Sequence, residues 1–137
     1  MTGLDALTDR DLVERFAALA IAPGDFRHRE HIRLAFALLA RHADFVEAAV
    51  EFRRLLRAFA AHHGVPERYH ETVTLAYLAI VNERMDGGGH ADSLAFVAAH
   101  PDLLDHKSGA LARYYDVGAI TASSVARRVF VLPGQRS

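Results

Sequence analysis

Four long segments of the chain carry apolar residues at the three- and four-residue spacing of an α-helix, and this pattern constrains the fold most. The longest segment begins after Asp44 and ends at Gly64. Its apolar residues are Phe45, Ala48, Ala49, Phe52, Leu55, Leu56 and Phe59. No stretch keeps a period-two alternation over several residues, so the sequence predicts an all-α fold without a β-sheet.

Capping and breaking residues set the limits of the predicted helices. The four longer helices are expected over residues 9–21, from a cap at Asp25 to about His42, from a cap at Asp44 to Gly64, and over residues 69–85. Shorter helices are expected over residues 92–99 and 108–115, with a last helix capped by Thr121. We therefore predict a compact helical bundle of four longer and two or three shorter helices.

The chain has the length and the apolar content of one domain. It contains 137 residues, of which 51% are hydrophobic, and single domains commonly have about 100–200 residues. We expect one helical domain over residues 1–137, with residues 1–7 and 134–137 loose. The predicted main core consists of Ile32, Phe36, Leu39, Phe52, Leu55, Leu56, Phe59, Leu75, Leu78 and Phe130.

Composition narrows the classes of function. The 16 Lys and Arg residues nearly balance the 17 Asp and Glu residues, so the chain lacks the strong positive field that binds nucleic acid or an anionic membrane. The absence of cysteine leaves His, Asp and Glu as the possible metal ligands. The sequence shows neither a signal peptide nor an apolar run of about 18 residues, so we expect a cytoplasmic protein.

Two histidine clusters stand at the starts of predicted helices. His28 and His31 are one helical turn apart near the start of the second helix, and residues at this spacing have Cβ atoms about 5–6 Å apart. His70 begins the inner face of the fourth helix, where an unpaired imidazole would cost about 1–3 kcal/mol to bury. Both helix starts can meet at one end of the bundle, so we expect the side chains of His31 and His70 to approach each other.

These residue types favour a mononuclear site that binds a divalent transition metal. The predicted ligands are His28, His31 and His70, a set that suits zinc, iron, manganese or copper. Glu71 is a further ligand, a partner of a ligand, or a general base, and Tyr69 can reach the same site. The predicted catalytic residues are therefore Tyr69, His70 and Glu71. A second Glu-x-x-His motif is missing, which argues against a dinuclear carboxylate site.

Structural roles are the alternative for every histidine. His28 could face water in the first turn of its helix, and His31 could satisfy a neighbouring carbonyl group. Five other histidines are assigned to solvent or to the dipole of a helix end. Those with this assignment are His62, His63, His90, His100 and His106.

An ordered set of short motifs runs from Phe26 to Pro133. The motifs are F-R-H-R-E-H-I-R-L-A at residues 26–35, Y-H-E-T-V-T at 69–74, Y-Y at 114–115 and A-R-R-V-F-V-L-P at 126–133. With them the chain resembles an uncharacterised family of small bacterial all-helical proteins that carry F-x-H-x-x-H and Y-H-E-T motifs. The resemblance implies no particular activity. It implies that one set of residues acts as a unit: His28, His31, Tyr69, His70, Glu71 and Thr72.

Two classes of function follow from these observations. The first is a small metal-dependent or acid–base enzyme that acts on a small molecule between the second and fourth helices. The second is a non-catalytic protein that binds a small molecule, a metal or a partner, with structural or sensory histidines. The expected partner is a small-molecule substrate or ligand, with no nucleic acid and no membrane, and the oligomeric state is left open.

Overall fold

One helix, α2 (His28–Arg41), packs against four others and forms the centre of the fold. The computed structural model describes residues 3–134 of the chain. Around α2 lie α1 (Asp9–Ala17), α3 (Phe45–His62), α4 (Glu71–Met85), α5 (Ser93–Ala99), α6 (Val117–Ala122) and α7 (Ser124–Arg128). Residues 3–134 contain no β-strand, so the prediction of an all-α bundle with four longer and two or three shorter helices is confirmed.

Helix α3 begins and ends where the sequence indicated. The Oδ1 atom of Asp44 accepts a hydrogen bond from the backbone N–H of Glu47 at 2.8 Å, as an N-cap does. At the other end Gly64 has a φ of +75°, the left-handed conformation that glycine adopts at low cost. Local sequence therefore determines both limits of this helix.

Helix α1 is shorter than predicted because a residue other than glycine terminates it. The helix ends at Ala17 and not at Ile21, and Leu19 has a φ of +60°. The N–H of Ala20 donates to the carbonyl of Arg15, and the N–H of Leu19 donates to that of Phe16, which is a Schellman turn. A leucine in the left-handed position gives no local signal in the sequence.

Two expected helix caps were wrong. Asp25 lies in a 3-10 turn, Pro23–Asp25, and Arg27 is the residue that precedes α2. The last helix is capped by Ser123, whose Oγ accepts from the N–H of Ala126 at 3.1 Å, whereas Thr121 lies inside α6. Both caps lie two residues later than expected, and α6, which contains Thr121, is a helix that was not predicted.

The helix predicted over residues 108–115 is only a 3-10 turn, Leu111–Arg113. The preceding Gly109 lies so close to the backbone of Asp102 and Asp105 that a Cβ atom there would overlap their carbonyl oxygens. The N–H of Gly109 donates to the carbonyl of Asp105 at 2.9 Å. This close backbone approach uses the absence of a side chain at residue 109.

Most of the predicted core is buried, with Phe130 as the main error. Ile32, Phe36, Phe52, Leu55, Leu56 and Leu78 are buried, and Leu39 and Phe59 are partly buried against the core. Leu75 is only half-buried, and Phe130 is 44% exposed on the outer side of α3 and α4. The position of Phe130 follows from the end of α7 at Arg128, which takes it out of the helix that we expected to bury it.

The N-terminal segment is held against the core, in contrast to our expectation for residues 1–7. Residues Gly3–Ala6 form a 3-10 helix, and Leu4 is buried. Gly134 donates its N–H to the carbonyl of Tyr114 at 3.2 Å. The rest of the segments expected to be loose, residues 1–2 and 135–137, lies outside the described residues. No helix within residues 3–134 has the length and hydropathy needed to cross a membrane.

Candidate functional site: a histidine-lined cavity

A cavity of about 440 Å³ lies between helices α2, α3 and α4. Its volume is in the range of small-molecule sites, which usually have about 300–1,000 Å³. Five of the nine histidines of the chain line it: His28, His31, His63, His70 and His106. Within residues 3–134, no Asp or Glu is among the residues that line it.

His70 does not begin α4 but caps it, and both of its ring nitrogens are occupied. Its Nδ1 atom accepts from the backbone N–H of Val73 at 3.1 Å, so Nδ1 carries no proton. Its Nε2–H donates to the carbonyl of Ile120 at 2.8 Å. The imidazole is therefore neutral, and it joins the start of α4 to the end of α6.

His28 and His31 each use one ring nitrogen and keep the other free. Nε2 of His28 lies 2.7 Å from the carbonyl oxygen of Leu103, and Nδ1 of His31 lies 3.1 Å from that of Arg27. A carbonyl oxygen only accepts, so these two nitrogens carry the protons. In the neutral rings, Nδ1 of His28 and Nε2 of His31 are therefore left with lone pairs.

Burial keeps these imidazoles neutral. Desolvation is the main cause that lowers the pKa of His28, His31, His70 and His106, and it lowers the pKa of His31 to about 4. Hydrogen bonds from His28 and His31 to backbone carbonyls oppose this effect but do not cancel it. Near neutral pH the neutral form of these four imidazoles is therefore favoured.

Tyr77 and His106 form a second polar group in the cavity wall. The Tyr77 hydroxyl and Nδ1 of His106 are hydrogen-bonded at 2.9 Å. The ring of His28 lies 4.8 Å from that of Tyr77 and 5.4 Å from that of His106, measured between centroids. Burial raises the pKa of the Tyr77 hydroxyl, so the phenol stays protonated.

One wall of the cavity is a row of four aromatic rings. The centroids of His31 and Phe26 are 4.3 Å apart, those of Phe26 and Phe59 are 5.2 Å apart, and those of Phe59 and His63 are 4.5 Å apart. Nε2 of His63, at the end of this row, is buried and has no hydrogen-bond partner. Buried polar atoms in native structures are nearly always paired, so this unpaired nitrogen is an exception among residues 3–134.

Glu71 does not line the cavity. Its carboxylate accepts two hydrogen bonds from Nε of Arg53, at 2.8 and 3.0 Å, and one from the Tyr69 hydroxyl at 2.6 Å. The ring of Tyr69 does line the cavity, but its hydroxyl is held by Glu71. Of the predicted site residues, the structure brings His28, His31, Tyr69 and His70 to one cavity and leaves Glu71 outside its lining.

The predicted metal-ligand set does not fit this arrangement. A metal ion needs a lone pair from each ligand, and His70 has none to offer while it binds Val73 and Ile120. His31 and His70 line the same cavity, but of these two only His31 has a free nitrogen. Within residues 3–134 no group of three or more His, Asp or Glu side chains is arranged to hold a metal ion.

Sequence reasoning missed His63, His106 and Phe26 as residues of the site. His63 is the C-cap of α3, and His106 lies in the segment between two 3-10 turns. Nothing near His106 in the sequence indicates that it contacts Tyr77, which is 29 residues earlier. Phe26 was part of the F-x-H-x-x-H motif, which is the one local signal for its place beside His31.

Comparison of the chain with known protein families, with curated proteins and with solved structures found no match. What the cavity can bind is therefore inferred from the residues that line it.

Proposed function

We propose that the protein binds a small, uncharged, flat molecule in the histidine-lined cavity and recognises it through hydrogen-bond donors of the ligand. One observation carries the proposal. His28 and His31 each donate one ring N–H to a backbone carbonyl, so Nδ1 of His28 and Nε2 of His31 keep a lone pair. A nitrogen with a lone pair accepts, so the complementary ligand group is a hydroxyl or an N–H.

The lining favours an uncharged ligand with an apolar body. A cation finds no carboxylate in the lining, and the rings that face it have lowered pKa values. An anion would meet lone pairs, and the one arginine of the lining, Arg68, is exposed. The aromatic row of His31, Phe26, Phe59 and His63 offers a surface for a planar ring system.

Binding is favoured over base catalysis by the basicity of His31. Protonating a group with a pKa of about 4 at neutral pH costs on the order of 4 kcal/mol. A general base works best when its pKa is near the working pH. His31 is therefore better suited to accept a hydrogen bond from a ligand than to remove a proton from it.

The ring of His63 closes the far end of the aromatic row and lines the cavity. Its Nε2 is buried, so this nitrogen offers no contact to a ligand in the cavity. A bicyclic aromatic alcohol has one donor, which it can give to Nε2 of His31 while its rings cover those of Phe26 and Phe59.

Three naphthalene derivatives with one ring system and different polar groups test the proposal. 2-Naphthol offers a donor, 2-methoxynaphthalene offers none, and 2-naphthoate carries a negative charge. We expect 2-naphthol to bind about threefold to tenfold more tightly than 2-methoxynaphthalene, the range set by one hydrogen bond. Naphthoate should bind more weakly than either, since burying its charge is costly.

The affinities can be measured by fluorescence titration and by ligand-observed NMR. His31→Phe should remove the preference for naphthol over its methyl ether while keeping the ring wall. His62→Ala is the matched control, because His62 is exposed and does not line the cavity. Equal affinity for all three compounds, or a preference that His31→Phe leaves unchanged, would contradict the proposal.

A further inference from the structure

The outer face of α3 exposes apolar side chains that no part of the described chain covers. Val46 is 67% exposed and Val50 is 63% exposed, although both are in a long helix of the bundle. Together with Phe130 they line a groove of about 650 Å³ between α3, α4 and the segment after α7. Contiguous exposed apolar surface on a stable domain is typical of an interaction site.

The charges on this face of α3 are divided along the helix. Asp44 caps its N-terminus, and Glu47 is exposed in its first turn. Exposed arginines follow in the second half of the helix, at Arg53, Arg54 and Arg57. Val50 lies between the acidic end and the basic end.

We propose that this face binds a second copy of the chain, with the two α3 helices antiparallel about a two-fold axis near Val50. In such a pair, residues at equal distances before and after Val50 face each other across the axis. At about 100° per residue, Glu47 and Arg54 project from the same side of Val50, so Glu47 of each copy lies beside Arg54 of the other and the valines meet at the centre. The dimer thus contains two equivalent contacts, each between the acidic end of one α3 helix and the basic end of the other.

Arg54 is the arginine best placed for this contact. Its side chain is 66% exposed, and its nearest acidic partner, Glu51, lies at 3.7 Å. Arg53 instead donates two hydrogen bonds to Glu71 within its own chain. The antiparallel arrangement also sets the positive end of each helix dipole beside the negative end of the other.

Charge complementarity favours a second copy over an anionic lipid surface. A lipid surface would attract the arginines, but it would repel Glu47 on the same face. A second copy satisfies both charges with one contact and covers Val46 and Val50. An isologous interface of this kind is the commonest form of homodimer.

Charge reversal on single residues gives a sharp test. We expect the protein to dimerise reversibly in sedimentation velocity experiments over a concentration series. Glu47→Arg and Arg54→Glu should each raise the dissociation constant about tenfold or more, because each places two like-charged pairs across the axis. An equimolar mixture of the two variants should recover the dimer, since each repulsive pair becomes attractive again.

The controls separate this interface from general effects of charge and folding. Lys107→Glu makes the same change in net charge as Arg54→Glu at an exposed residue off this face, and it should leave the dissociation constant unchanged. Val50→Asp should weaken the dimer without lowering the helical content measured by circular dichroism.

Three results would overturn the proposal. The first is a wild-type protein that stays monomeric throughout the concentration series. The second is a dimer that neither charge reversal nor Val50→Asp weakens. The third is a monomer that co-sediments with phosphatidylglycerol vesicles and loses this property in Arg54→Glu, which would assign the face to lipid.

Discussion

Arg33 and the histidine-lined cavity are two polar regions inside the same bundle, and they differ in how fully their hydrogen bonds are satisfied. Arg33 is 0% exposed, and its guanidinium donates to Ser93 Oγ at 2.8 Å and to the carbonyls of Leu4 and Leu7 at 2.9 and 3.1 Å. Ser93 in turn binds the carboxylate of Asp9. This network joins α2 to the N-terminal segment, to α1 and to α5.

The histidine-lined cavity, in contrast, contains polar atoms without a hydrogen-bond partner among residues 3–134. His28 and His31 each keep a lone pair on a ring nitrogen that has no partner among the described residues. A saturated network has nothing further to bind, so it serves stability. Acceptors without a partner beside a cavity can still bind a ligand. Hydrogen-bond satisfaction therefore distinguishes structural residues from binding residues, which residue type alone does not.

Replacement of Arg33 should have the largest effect on stability. Arg33→Met keeps most of the volume but leaves two backbone carbonyls and the Asp9–Ser93 pair without their cation, so we expect a loss of about 3–5 kcal/mol in unfolding free energy. Urea denaturation measures this loss. Arg10→Met is the control, because Arg10 is exposed and pairs only with Glu14, and it should cost less than about 0.5 kcal/mol.

The same comparison predicts that naphthol affinity is unchanged in folded Arg33→Met. A loss of affinity with no loss of stability would reverse the roles of the two regions.

His70 resembles Arg33 in that its hydrogen-bonding atoms are already paired within the protein, although it lines the cavity. His70→Ala removes the cap of α4 and leaves the carbonyl of Ile120 unpaired, so we expect it to cost about 2–3 kcal/mol. His70→Asn keeps an acceptor for the N–H of Val73 and should recover about 1 kcal/mol of this loss. Urea denaturation of the three proteins measures both effects. A cost below about 0.5 kcal/mol for His70→Ala, with no gain from Asn, would show that the cap contributes little.

Helix α3 and Arg33 show which parts of the structure can be predicted from the sequence and which cannot. The fold class and the limits of α3 follow from apolar spacing, from Asp44 and from Gly64, which are local features. The partners of Arg33 are not local, since Ser93 is 60 residues away and Leu4 is 29 residues away. Arg33 lies within an apolar helix, and no pattern near it indicates the network.

The candidate site was predictable in part for the same reason. Histidines at two helix starts indicated that His28, His31 and His70 come together, and all three line one cavity. Local sequence could not show that Ile120, 50 residues from His70, occupies its Nε2. The number of free lone pairs depends on such distant contacts, so the metal-ligand set could not be tested before the fold was known.

Acidification from about pH 6.5 towards about pH 4 should lower the free energy of unfolding, because folding lowers the pKa of the histidines that line the cavity. The pKa of His31 is about 4 in the folded state, against about 6.5 in an unfolded chain. Between about pH 6.5 and about pH 4, His31 is therefore protonated in the unfolded chain but not in the folded protein. The free energy of unfolding falls as the pH falls through this range. His31 accounts for at most about 3 kcal/mol of this loss.

Unfolding free energies from urea titrations between about pH 7.5 and about pH 4.5 measure this effect. The slope should be shallower for His31→Phe, which removes the group with the most strongly lowered pKa. A stability that rises on acidification over this range would mean that the histidines gain protons on folding, the opposite of what burial causes.

The most direct test of the account is the protonation of each histidine ring nitrogen, observed by long-range ¹H–¹⁵N NMR with and without 2-naphthol. The structure predicts the proton on Nδ1 of His31 and on Nε2 of both His28 and His70. Naphthol should shift the unprotonated Nε2 of His31 and leave both nitrogens of His70 unchanged, because His31 has an acceptor to offer and His70 has none. A proton on Nε2 of His31, or bound naphthol that shifts His70 and not His31, would contradict the division between saturated and unsaturated polar groups.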